Sequence, residues 1–283
     1  MSFPRYGGNP PAGDNSTTLI KGVMMKINGY LLVVTFLSIA IHGCSNLQKN
    51  EGIVFQTSTI NALLGGVYDG NITFKDLKKH GDFGIGTFNG LDGEMIGLEG
   101  KFYQIKADGV AYSVPDAMKT PFAVVTFFKP DKALLLDKLA NCKQLEQYLD
   151  NLLPTKNIIY AFKIEGDFKY IKTRSVPKQS KPYPPLMEAV KDQPTFEFNN
   201  VKGTIAGFWF PSYMGEINVP GYHFHFITED RKAGGHILYC QLHNGKIEID
   251  YLSELFMALP ENSEFYNADL TKRKTGELEK VEK

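Results

Sequence analysis

No run of about 18 consecutive apolar residues occurs in this chain of 283 residues, so it offers no membrane-spanning helix in a mature form. Charge of one sign is not in excess either. The 31 Lys and Arg balance 31 Asp and Glu, and no basic tail appears, which argues against nucleic acid, whose phosphates demand a basic surface. Cysteine is scarce, at 3 residues. With Cys44 in a leader-like segment, Cys142 on a helix pattern and Cys240 on a strand pattern are too few for a disulfide framework. Both are expected as small buried apolar groups. Long repeats and Gly-rich phosphate loops are absent as well. What is present is a 43% hydrophobic composition with 20 Phe and 14 Tyr, ample for one large packed domain or two lobes.

The N-terminus reads as a targeting segment. Met24, Met25 and Lys26 lead into an apolar run from Tyr30 to Ile41, followed by His42, Gly43, Cys44 and Ser45. A positive start, a short apolar run and small exit residues describe a secretory signal over 24–44. The Gly43-Cys44 junction resembles a bacterial lipoprotein cleavage site, with Cys44 as the lipidated residue, so an exported, membrane-anchored or periplasmic or extracellular protein is expected. Residues 1–23, rich in Gly, Pro, Asn and Ser, precede the better start and are expected to be a misplaced start or a disordered extension.

The remainder reads as mixed α and β, dominated by sheets. Turn dipeptides such as Asp69-Gly70, Asp92-Gly93 and Asp108-Gly109 punctuate strands from Gly52 to Val125. Thr73 can cap a short helix. Asp131 can cap a long amphipathic helix to Leu153, with Leu134, Leu135, Leu139, Leu145 and Leu149 among its apolar positions. Strands are expected on either side of a Glu165-Gly166-Asp167 turn, and Asn244-Gly245 is a hairpin signal. A Pro- and Lys-rich connector over 176–194 carries a short helix near Leu186–Val190. The expectation is an α+β fold of two lobes, 50–175 and 176–283, with mixed β-sheets, a few helices and a metal site on strands of the second lobe.

That site is the most informative stretch. Tyr222, His223, Phe224, His225 and Phe226 alternate, so a strand puts His223 and His225 on one face and the aromatic residues on the other. A charged turn with two glycines then returns His236 on a neighbouring strand. Three converging imidazoles are what a catalytic zinc site uses, with one position left for water or substrate. His-x-His alone also fits a polar surface strand. His42, His80 and His243 sit in the leader, at a helix end and before a turn. Glu94 heads an apolar strand after two turn glycines, and a solvated strand end is its plainer reading. Arg174 can fork onto a carboxylate or oxyanion, or pair ions at a surface.

Taken together, these segments resemble the alpha-acetolactate decarboxylase family, from about Thr57 onward. The resemblance is carried by His80-Gly-Asp-Phe-Gly-Ile-Gly-Thr-Phe-Asn-Gly-Leu-Asp-Gly-Glu94-Met, by Thr173-Arg-Ser-Val-Pro with Lys181-Pro-Tyr-Pro-Pro, and by Gly221-Tyr-His-Phe-His through Asp230-Arg-Lys-Ala-Gly-Gly-His236. It implies Zn2+ held by His223, His225 and His236, and catalytic roles for Glu94, Arg174 and a C-terminal glutamate. That glutamate is Glu282 if the spacing carries through, with Glu277 and Glu279 close by. Thr87 and Arg174 would contact substrate. The implied reaction turns (S)-2-acetolactate into (R)-acetoin and CO2 through a metal-stabilised enediolate, in a homodimer. The substrate's own ketone, β to the carboxylate, is the electron sink, consistent with no thiamine or pyridoxal loop. Each ligand histidine should give its other ring nitrogen to a carbonyl or carboxylate. Other classes are a cupin-like iron oxygenase or isomerase with two histidines and a carboxylate, and an exported lipoprotein that binds a metal or metabolite. A fold related to nucleic-acid-binding proteins conflicts with the zero net charge.

Overall fold

Two sheets account for most of the chain, because period-two alternation recurs along it far more often than the helical period. The computed structural model describes residues 51–271 and 275–282; the extension 1–23, the leader 24–44 and Cys44 lie outside the described residues. In order, the elements are β1 (Ile53–Thr57), α1 (Ile60–Leu64), α2 (Phe74–Leu77), β2 (Phe83–Thr87), β3 (Glu94–Leu98), β4 (Lys101–Ile105), β5 (Ala111–Ser113), β6 (Ala123–Thr126) and β7 (Lys132–Leu136). They continue with β8 (Ala140–Asn141), α3 (Cys142–Asp150), β9 (Ile159–Arg174), α4 (Leu186–Ala189), β10 (Thr195–Phe210) and β11 (Gly221–Thr228). The chain closes with β12 (Gly234–Leu252), β13 (Glu254–Ala258), α5 (Ser263–Asn267) and α6 (Thr275–Glu282).

The fold is mixed, sheet-dominated α+β. One seven-stranded sheet runs β13-β1-β6-β2-β3-β4-β5, parallel only between β1 and β13. The second runs β11-β10-β9-β12-β7, and β11 also pairs with β12, so β11, β10, β9 and β12 close a ring of ladders. Both sheets draw strands from both sides of residue 175. β7, β8 and β9 belong to the second sheet, and β13 joins the first. The expected 50–175 and 176–283 division therefore does not follow the sheets.

Side-chain alternation sorts residues between cores. Ile96 and Leu98 of β3 and Ile85 of β2 enter a core that also holds Ala206, Phe208 and Ile227 of the second sheet. Met95, one position before Ile96, faces a separate core with Phe55, Phe74 and Phe102. Phe224 and Phe226 pack with Phe162 and Ile164 in a third, as the alternation in Tyr222–Phe226 predicts. Thr73 caps α2 by accepting from Asp76 N–H at 3.2 Å.

Three local expectations are corrected. The helix expected over Asp131–Leu153 is β7, β8 and the shorter α3. Leu136 is buried and Leu135 is 79% exposed, a period of two, and β7 pairs with β12 from Leu136↔Gly245 to Lys132↔Ile249. Asp131 caps no helix but accepts from Tyr251 N–H at 2.7 Å. Asn141 is the true cap of α3, in a capping box with Gln144.

Glu165-Gly166-Asp167 and Asn244-Gly245 are not turns. They lie inside β9 and β12 and pair with each other, Gly166 opposite Gly245 and Asp167 opposite Asn244, beside a register shift between Leu242 and Asn244. A Cβ on Gly166 would come within 2.3 Å of Asn244 O. These glycines thus serve close strand approach at a bulge. Cys142 and Cys240 form a disulfide with Cα atoms 5.1 Å apart. Their neighbours explain it: Asn141 pairs with Gln241, so the ladder sets the two sulfurs side by side.

A buried carboxylate gives this fold a pH-dependent stability. Asp250 on β12 is 3% exposed and accepts from Lys129 N–H at 3.0 Å. Burial, and then the charges of Asp131, Glu51 and Asp82, push its pKa up to about 7, against the opposing Lys129 hydrogen bond. A folded pKa above the unfolded one means stability is full below about pH 4 and is lost as pH rises through 7. Asp250→Asn keeps an acceptor for Lys129 and removes the ionisation. It should therefore stabilise the protein by roughly 2 kcal/mol at pH 8 and by little at pH 4. Urea denaturation at both pH values checks this, and an equal effect at the two would contradict it.

Candidate active site

Strand register assembles the site. Across three strands Arg174 of β9 sits opposite His236 of β12, and His236 sits opposite His225 of β11. Residues paired across strands share a face, and His223 is two positions from His225 on that same face. The three imidazole centroids form a near-equilateral triangle with sides of 5.2, 5.0 and 5.4 Å. His236 does return on the neighbouring strand, but the turn is the charged segment 229–232, and Gly234 and Gly235 already lie in β12, paired with Ile227 and Phe226.

The first sheet supplies the opposing wall. β3 places Glu94 in the same alternation as Ile96 and Leu98, toward the shared core, and Thr87 of β2 is its ladder partner. Glu94 is 7% exposed and Arg174 2%, so neither the solvated strand end nor the surface ion pair describes them. Glu94 Oε2 lies 3.5 Å from His225 Nε2. Thr87 Oγ1 donates to Gly93 O at 2.7 Å, which leaves the hydroxyl oxygen to accept from a ligand. Arg174 Nη1 donates to Gln193 Oε1 at 2.7 Å and Nη2 to Val281 O at 2.6 Å.

Main-chain groups and apolar residues complete the site, and residue types alone do not disclose them. His225 Nδ1 is 2.7 Å from Met95 O. A carbonyl only accepts, so Nδ1 carries the proton and Nε2 presents its lone pair. This is the outer-shell partner expected of a ligand histidine. His223 Nε2 approaches His236 Nδ1 at 3.2 Å. Val281, on α6, packs beside Leu186 and Val190 and brings the last helix against Arg174. Glu282 is the final residue of α6, but its side chain lies outside the described residues.

Two spaces meet at the histidines. A small cavity gathers Thr87, Glu94, Arg174, His223, His225 and His236 under an apolar wall of Ile60, Leu63, Phe122 and Val281. A wider cleft beside α3 touches only His223 and His236 of these. The inner cavity is where the reactive groups converge, and the histidine pair borders both.

The residues fit a metal ion. One nitrogen from each of the three histidines lies within 4.8 Å of the others, and tetrahedral ligands about 2.0 Å from zinc stand roughly 3.3 Å apart. Desolvation, and then the Arg174 charge, push the His223 pKa down to about 3, so the ring stays neutral and able to ligate at neutral pH.

Comparison with known proteins agrees with the geometry. The profile of the family described as Alpha-acetolactate decarboxylase matches residues 54–272. An alpha-acetolactate decarboxylase of Methanosarcina mazei is 53% identical over 231 residues, covering 82% of this chain and 80% of the relative. One from Methylococcus capsulatus is 47% identical over 236 residues, covering 83% and 91%. The crystal structure of alpha-acetolactate decarboxylase from Bacillus subtilis strain 168 superposes with a TM-score of 0.80 at 43% identity, covering 81% of this chain and 99% of that one.

Proposed function

The chain belongs to the alpha-acetolactate decarboxylase family and is an enzyme of that activity; from this premise we propose that it converts (S)-2-acetolactate to (R)-acetoin and CO2 with Zn2+ on His223, His225 and His236. The observation that carries the reading is the convergence of three imidazoles, a buried carboxylate and a buried guanidinium on one small cavity. When bound, zinc supplies Lewis-acid polarisation of the substrate's carbonyl and hydroxyl oxygens.

The chain's own groups do the rest. Arg174 binds the substrate carboxylate and, as CO2 departs, stabilises the oxygen charge that develops when the C–C bond electrons move onto the neighbouring ketone. Its guanidinium is held at Gln193 and Val281, so little reorganisation accompanies that charge. Thr87 accepts from the substrate's tertiary hydroxyl through the oxygen that already donates to Gly93 O. The apolar wall takes the two methyl groups and excludes water. Loss of CO2 leaves a planar enediolate, and one proton must reach the carbon that carried the carboxylate. Glu94, fixed beside His225 on one side of the cavity, delivers it to one face, which sets the configuration of acetoin. Glu282, at the end of the helix that contacts Arg174, is the partner in proton transfer.

The test is acetoin release from racemic acetolactate by the chain lacking residues 1–44, before and after chelation, with chiral analysis. The expected result is release of (R)-acetoin that chelation abolishes and added zinc restores. A folded, zinc-loaded protein that releases no acetoin overturns the reading. Unchanged turnover after complete metal removal overturns the role of zinc.

A further inference from the structure

β9 and β10 run antiparallel with Arg174 opposite Thr195. Gln193 lies two residues before Thr195, just ahead of β10, and its N–H donates to Val190 O at 3.4 Å at the end of α4. Pro194 disfavours helical backbone at Gln193, and Ser175 N–H donates to Pro194 O at 3.3 Å, which ties this approach to the end of β9. The Gln193 side chain is thereby delivered to Arg174, whose Nη1 donates to Oε1 at 2.7 Å. A guanidinium has only donors, so the amide must present its oxygen.

The second hold on the guanidinium, at Nη2, is the carbonyl of Val281. Both of these acceptors are neutral dipoles. A carboxylate at position 193 would form the stronger hydrogen bond, but it would also add negative charge next to a cavity that must admit an anion. Gln193 therefore combines orientation of Arg174 with no electrostatic cost at that contact.

We infer that Gln193 is a positioning residue for Arg174, aiming its guanidinium at the substrate carboxylate through a neutral acceptor. The inference rests on the role of Arg174 proposed above. It separates two properties that a purely structural glutamine would not separate, the presence of an acceptor and its lack of charge.

Steady-state kinetics on acetolactate with the full chain test it, comparing wild type, Gln193→Ala and Gln193→Glu, with thermal unfolding of each. Gln193→Ala should remain folded and lose about 10- to 100-fold in kcat/KM, as expected when a hydrogen bond to a charged group is removed. Gln193→Glu keeps the length and the acceptor, so its Tm should equal or exceed that of wild type. Its KM should nevertheless rise by about tenfold, with a smaller change in kcat, because charge repulsion acts on substrate binding. A folded Gln193→Ala with kcat/KM within about twofold of wild type overturns the inference, as does a Gln193→Glu with wild-type KM. If the alanine variant fails to fold, the glutamate variant decides alone. A wild-type chain that releases no acetoin in the same assay sinks the functional reading instead, so the two failures are distinct.

Discussion

His225→Ala should abolish zinc retention after gel filtration and lower kcat by at least about a thousandfold, the largest effect of any single substitution in this protein. His225 is 1% exposed, and its ring is bonded to the first sheet through Met95 O. It therefore joins the histidine cluster to the wall that carries Glu94. Truncation would remove the Nε2 lone pair and also the link that keeps Met95 and Glu94 in place. Metal content by atomic emission, measured with acetoin release, checks the prediction. A variant that keeps stoichiometric zinc and wild-type kcat would show that His225 is a packing residue.

Arg174→Lys should lower kcat/KM by about a hundredfold while retaining the positive charge. The guanidinium reaches Gln193 and Val281 at once with separate nitrogens, a fork that a single ammonium cannot reproduce. Lysine would leave one of these buried acceptors without its donor, at about 1–3 kcal/mol, so a lower Tm should accompany the kinetic loss. A substrate carboxylate would also lose its planar partner. Kinetics within about threefold of wild type would mean that charge alone, rather than fork geometry, serves the reaction. The Tm of the variant gives the structural share separately, since folding is read without substrate.

Much of this site is legible in the sequence, because part of it is local. Alternation over Tyr222–Phe226 assigns His223 and His225 to one face without knowledge of any partner, and the charged turn over 229–232 brings His236 back 13 residues after His223. Glu94 and Arg174 are different. Their own neighbourhoods suit a strand end and a surface cation, and only the longer resemblance to the decarboxylase family set them in the site. Their burial arises from packing β3 of one sheet against the ring of the other, which no window of the sequence contains. Gln193 carried no signal of its own.

The errors share a cause. Glu165-Gly166-Asp167 and Asn244-Gly245 have turn composition, yet each is opposite the other in long strands, where glycine serves close approach at a bulge. Leucines over 134–139 suit a helix until pairing with β12 imposes a period of two. Cys142 and Cys240 are 98 residues apart, and only the Asn141–Gln241 pairing makes them neighbours. The sequence by itself determined the α+β composition, the faces of the histidine strand and the family. Tertiary structure decided which strands lengthen through apparent turns, which cysteines bridge, and which main-chain carbonyls hold His225 and Arg174. The physical reason is that side-chain alternation is a property of adjacent residues, whereas ladder register and sheet packing depend on partners far along the chain, and every residue offers the same carbonyl.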